Sequence, residues 1–270
     1  MNNNLVYAWV PGLPHLLRPD LNKSYAELAT ACQDVGAEFT RKGVKRILYY
    51  STQWLSVLGQ SVQVRPKVSG LHVDENWYEM ASLEFDFKLD PSLAENLISL
   101  SRAWGLQVRP VDYEGFPVDT GTIVANKLLN GSGIGTGMYS CCVYSDYEET
   151  IKIGQLMAQA ATRLDGLTAI VVVSGLSGRY FTHKVDYQKD AIREDRDSQW
   201  NRKFLSAMGE GRWSDVETFR ADYCGEAKVD MGLKALAILK GAGACEEGRK
   251  LVTKAYGPIY GTGAAVLLGV

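Results

Sequence analysis

Residues 167–175 read LTAIVVVSG, an almost unbroken apolar, β-branched run that ends on Ser-Gly. A strand with one wet face alternates apolar and polar residues, whereas a strand with no polar face has to be covered on both sides. The stretch therefore predicts a central strand between two helical layers, with a loop at its carboxyl end. Further β-rich runs flank it at 5–10 (LVYAWV), 45–51 (KRILYYS), 61–66, 83–89, 106–111, 138–145 and 262–269. Helical patterns separate them. DPSLAENLISLSRAWG (90–105) carries Asp90 as N-cap, Pro91 at the first helical position and a Gly stop, and SDYEETIKIGQLMAQAATRL (145–164) opens on the capping-box pair Ser145 and Glu148. Two more helices are expected at about 20–42 and 230–241. This alternation predicts the α/β class, as a three-layer α/β/α arrangement around a mostly parallel or mixed sheet. No Pro/Ser linker, repeat or low-complexity tract interrupts it, so 1–270 is read as a single domain.

Composition removes several functional classes. The 29 basic and 31 acidic residues nearly cancel, leaving no electrostatic footprint for nucleic acid or an anionic membrane surface. No stretch approaches the roughly 18 to 20 apolar residues that span a bilayer, and the Asn-rich start MNNNLVYAWV lacks the marks of a secretory signal, so a cytoplasmic protein is expected. Cys32, Cys141, Cys142, Cys224 and Cys245 show no CxxC spacing and read as reduced core thiols.

Open α/β sheets bind ligands in the loops that leave the carboxyl ends of their strands. Here those loops are PGLPH (11–15), STQW (51–54), VDTG (118–121) and SGLSGRYF (174–181), and only the first holds an imidazole, His15. GSGIGTG (131–137) follows a helix and leads into a strand, the reverse of the order a phosphate loop needs. In SGLSG (174–178) the second Gly comes one place early for a nucleophile elbow, and no histidine is at hand to activate Ser177. The other two histidines, His72 in SGLHVDENWY and His183 in RYFTHKVDYQKD, lie in polar segments and read as solvated surface residues. Trp54, Trp77, Trp104, Trp200 and Trp213 are scattered, which points to packing or a subunit interface rather than a cofactor cage. DAIREDRDSQWNRK (190–203) reads as a mostly solvated helix face.

VPGLPH, VDTGTIVANKLL, VVVSGLSGRYF and YGPIYGTGAAV, taken in order, resemble the corresponding segments of the class III extradiol ring-cleavage dioxygenases over nearly the whole chain. Active members hold one Fe(II) with two histidines and a glutamate, and use further histidines as acid/base and substrate contacts. By that resemblance His15 matches the first iron-binding histidine. Gln53 stands where the second is expected, Thr120 where a histidine contacts substrate or oxygen, and Gly178 where the acid/base histidine belongs. Asp230, with Glu226 as the alternative, matches the glutamate ligand.

A neutral amide is a poor Fe(II) ligand, and loss of a proton-transfer histidine removes a factor of about 10² to 10⁴. The resemblance thus implies a vestigial pocket of His15, Gln53, Thr120, Gly178 and Asp230, with no catalytic residue, no metal ligand and no cofactor in this chain. Within the family the chain is most similar to non-catalytic alpha subunits. That implies a homologous catalytic beta subunit bearing the Fe(II), in an α2β2 assembly. Two alternatives stay open. One is an active dioxygenase whose atypical iron site combines His15, Asp230 or Glu226 and another histidine. The other is an unrelated α/β hydrolase or phosphorylase that uses Ser177.

Overall fold

The computed structural model describes residues 4–80, 82–113, 118–180 and 182–269; the start of the Asn-rich segment and the final residue of SGLSGRYF lie outside them. The strands are β1 (Leu5–Val10), β2 (Val44–Ser56), β3 (Gln60–Gln63), β4 (Lys67–His72), β5 (Leu83–Lys88), β6 (Val108–Val111), β7 (Gly135–Cys142), β8 (Leu167–Val173), β9 (Leu251–Ile259) and β10 (Thr262–Gly269). The helices are α1 (Lys23–Lys42), α2 (Pro91–Ala103), α3 (Thr120–Leu129), α4 (Tyr147–Thr162), α5 (Asp195–Glu210), α6 (Trp213–Ala227) and α7 (Lys234–Gly241).

Eight strands form one sheet in the order β6-β3-β7-β2-β8-β1-β10-β9, while β4 and β5 pair separately as a hairpin. The centre is parallel, with β8 between β1 and β2, and β10 and β9 close one side antiparallel. The sheet is therefore mixed. Alternate side chains of the central strands feed two cores: Ile170 and Val172 pack under α2 and α4 to α7, and Val171 and Val173 under α1, α3 and the hairpin. Residues 169–173 are fully buried, as a strand without a polar face requires. Each such aliphatic side chain contributes about 1.5–3 kcal/mol relative to exposure.

Several elements depart from the sequence reading, β4 and α6 among them, which it does not mark. The helix expected at 145–164 is capped by Asp146, whose carboxylate accepts from the Glu149 N–H at 2.7 Å, while Ser145 accepts from Gln60 Nε2 instead. The helix expected at 230–241 begins only at Lys234, because Met231 and Leu233 adopt left-handed backbone and turn 230–233 into a separate tight turn. β9 carries Pro258, which has no N–H to offer a ladder and is tolerated because β9 lies at the sheet edge. That proline hides the strand from pattern reading. Among the described residues no helix is long and apolar enough to cross a membrane. Cys32, Cys141 and Cys142 are buried, Cys224 and Cys245 partly so, and all five are free thiols.

Helices α4 and α7 meet in close backbone contact. A methyl on Gly154 would lie 2.2 Å from the Ile238 carbonyl oxygen, and one on Gly241 would lie 1.9 Å from that of Ile151. Both contacts are with backbone, which cannot swing aside. Gly154→Ala is therefore expected to destabilise the fold by about 1–3 kcal/mol, read as a lower urea midpoint at unchanged m-value.

Candidate functional site

The loops at the carboxyl ends of β1, β2 and β8 meet the start of α3 and the 230–233 turn around a cleft of about 730 Å³. Gln53, Thr120, Gly178 and Asp230 all line it. Glu226 does not: it sits near the exposed end of α6, where its carboxylate accepts from Trp200 Nε1 at 2.9 Å. Of the two candidate carboxylates, Asp230 is the one delivered to the cleft.

Asp230 is held from three directions. Its Oδ2 accepts from Thr52 Oγ1 at 2.7 Å, Ser174 Oγ at 2.8 Å and the Gly175 N–H at 3.0 Å. Backbone pairing sets the approach, since the Asp230 N–H donates to Leu176 O and the Gly178 N–H to Lys228 O. Lys228, Met231 and Leu233 all carry positive φ around it. Left-handed backbone at non-glycine residues costs of order 1 kcal/mol or more each and persists where surrounding contacts over-determine it.

Gln53 reaches the cleft through a break in the β2–β7 ladder, which stops after Ser51 and resumes at Leu55. Its side-chain amide lies over two glycines. A methyl on Gly12 would meet Gly121 Cα at 2.5 Å and Gln53 Nε2 at 3.1 Å, and one on Gly121 would meet Gln53 Cδ at 2.9 Å. Asp119 caps α3 beneath, accepting from Ser51 Oγ at 2.6 Å and the Thr122 N–H at 2.9 Å. Burial raises its pKa, and those hydrogen bonds oppose the rise.

His72 corrects the sequence reading. Rather than standing in solvent it lines the cleft, with Nε2 2.9 Å from Thr120 Oγ1. The Thr120 hydroxyl proton goes to Asp74 Oδ2 in a short hydrogen bond, so the ring N–H of His72 donates to Thr120. A histidine from the β4 hairpin thereby reaches the position where the family resemblance expects one from the α3 loop. Its approach depends on how the hairpin folds back, which no local pattern encodes. His183 remains outside the cleft, with its Nε2 2.8 Å from Arg193 Nη1. Ser177 lines the cleft and accepts from Asn201 Nδ2 at 2.9 Å; among the described residues no histidine contacts it, so the arrangement offers it no general base.

His15 sits behind the cleft wall. Its ring is fully buried in a box of Trp77, Tyr25, Tyr187 and Tyr260, with centroids 4.7, 5.6, 5.5 and 5.2 Å away. Among the described residues neither ring nitrogen has a hydrogen-bond partner. Trp77 is not a scattered packing residue: it borders the cleft on one side and His15 on the other.

These residues do not fit an Fe(II) centre. Position 53 offers an amide, Asp230 has one oxygen saturated by three donors, and Trp77 packs against the histidine that follows β1. Among the described residues no group of three His, Cys, Asp or Glu side chains is placed to hold a metal ion.

The model of the catalytic LigB subunit of aromatic ring-opening dioxygenase matches residues 6–267. The chain belongs to this family, the class III extradiol dioxygenases. It is 36% identical over 264 residues to a 2-aminophenol 1,6-dioxygenase alpha subunit of Pseudomonas sp, covering 96% of each chain. A 3,4-dihydroxyphenylacetate 2,3-dioxygenase of Escherichia coli is 18% identical over 238 residues, 85% of this chain and 84% of that one. The crystal structure of an uncharacterized Escherichia coli K12 protein superposes with a TM-score of 0.68 at 14% identity, covering 97% of this chain and 98% of that one, which bears on fold alone.

Burial lowers the His15 pKa from 6.5 to about 4. The unfolded chain therefore takes up this proton first as pH falls, and stability declines between about pH 6.5 and pH 4, by about 3 kcal/mol over the window. His15→Phe keeps the aromatic box filled and is expected to flatten that part of the stability–pH curve, measured by urea unfolding at a series of pH values.

Proposed function

We propose that this chain is the non-catalytic alpha subunit of an extradiol dioxygenase acting on 2-aminophenol, and that it supports a homologous, iron-bearing beta subunit which opens the ring to a 2-aminomuconic semialdehyde. The observation that carries the reading is the fate of the family's iron positions: an amide at 53, a carboxylate at 230 occupied by Thr52, Ser174 and Gly175, and a histidine at 15 enclosed by aromatic rings. The 36% identity to an alpha subunit over 96% of the chain supports it. In this reading the chain holds no cofactor of its own, Fe(II) resides in the partner, and the assembly is α2β2.

The surface beside the cleft supports a partnered state. Leu55, Val57, Leu58 and Tyr144 are exposed, and the Val143 N–H donates to Ser56 O, which brings the end of β7 against the β2–β3 turn. Exposed apolar groups gathered this way favour association. Related chains in one assembly commonly meet through inherited two-fold surfaces.

Co-expression with the homologous chain, iron counting per subunit and ring-opening assays test the proposal. Iron and activity are expected to follow the beta subunit, while this chain alone takes up no stoichiometric iron and consumes no oxygen with 2-aminophenol. Stoichiometric iron in the isolated chain would overturn the reading. Gln53→His alone is expected to leave the chain iron-free, because His15 stays behind Trp77. Made without its partner, the chain is expected to self-associate in sedimentation velocity. A monomer that leaves the partner's activity unchanged would also sink the proposal.

A further inference from the structure

We propose that the cleft of this chain is a metal-free binding site for a small organic ammonium ion carried on an aromatic ring. The inference goes beyond the subunit reading and does not depend on it. A cavity of about 730 Å³ has room for a single-ring ligand. Its described lining includes no lysine or arginine and four carboxylates, Asp74, Glu75, Asp119 and Asp230. Asp119 is consumed in capping α3, and Asp74 accepts from Thr120 and from the Asn76 N–H. Asp230 differs. All three of its donors converge on Oδ2, and Oδ1 has no hydrogen-bond partner among the described residues. That oxygen, together with the exposed Glu75 carboxylate, is left to accept from a ligand N–H.

The other walls set the body of the ligand. Trp77 lines the cleft, and Leu55, Leu176 and Met231 supply apolar surface. An apolar wall beside carboxylates favours a ring that carries a cation, through burial of the ring and through charge. An anionic ring is disfavoured by the same carboxylates, with no lysine or arginine in the described lining to offset them.

The test uses the purified full-length chain in the presence of EDTA, titrated calorimetrically with benzylamine, benzyl alcohol and benzoate, which share a ring and differ in charge. Benzylamine is expected to bind at least about tenfold more tightly than benzyl alcohol, with no binding of benzoate. Asp230→Asn, which keeps an oxygen for the three internal donors, is expected to weaken benzylamine about tenfold. Leu55→Arg, made at an exposed rim position to leave the fold intact, is expected to weaken it several-fold by placing a cation at the mouth. Equal affinity for the three probes, binding that requires added divalent metal, or no benzylamine binding by the wild-type chain would overturn the inference and leave the subunit reading standing.

Discussion

One carboxylate oxygen ties the cleft together. Asp230 Oδ2 receives hydrogen bonds from the end of β2, from the Ser174 hydroxyl where β8 exits, and from the Gly175 backbone. Hydrogen bonds to a charged acceptor are roughly twice as strong as neutral ones. Three on one atom hold the two central strand exits and the left-handed 228–233 segment in a single arrangement. An oxygen saturated in this way is a structural acceptor, and Asp230 works as an internal fastening.

His15 shows the complementary arrangement. Its imidazole packs against four aromatic rings with no hydrogen-bond partner among the described residues, and desolvation favours its neutral form. Trp77, brought in by the segment after the β4 strand, packs against His15 and borders the cleft. The same segment brings His72 and Asp74 to Thr120. The segment after the hairpin strand thus supplies one wall of the cleft, which is lined by carboxylates and one indole.

The legible parts of the fold were those dictated by local chemistry. The run at 167–175 demanded burial on both faces, Asp90 and Pro91 marked the start of α2, and the Gly/Ser-rich strand exits marked the rim of the cleft. α6 was not legible, because its apolar residues form no continuous stripe, and neither was β9, because Pro258 disguises an edge strand. At the site, Gln53, Thr120, Gly178 and Asp230 were named in advance and share one cleft. His72 was missed because its neighbours in sequence are polar, and its hydrogen-bond partner Thr120 is 48 residues away.

Residue chemistry alone determined that this chain would form a layered α/β sheet and that the loops at its strand ends would be poor in imidazole, because burial periodicity and side-chain type are properties of short stretches. Only the tertiary structure decided which carboxylate enters the cleft, that His15 is enclosed by rings, and that His72 arrives beside Thr120. Those outcomes depend on contacts between segments far apart in the chain, whose energies exist only once the sheet and the hairpin have brought them together.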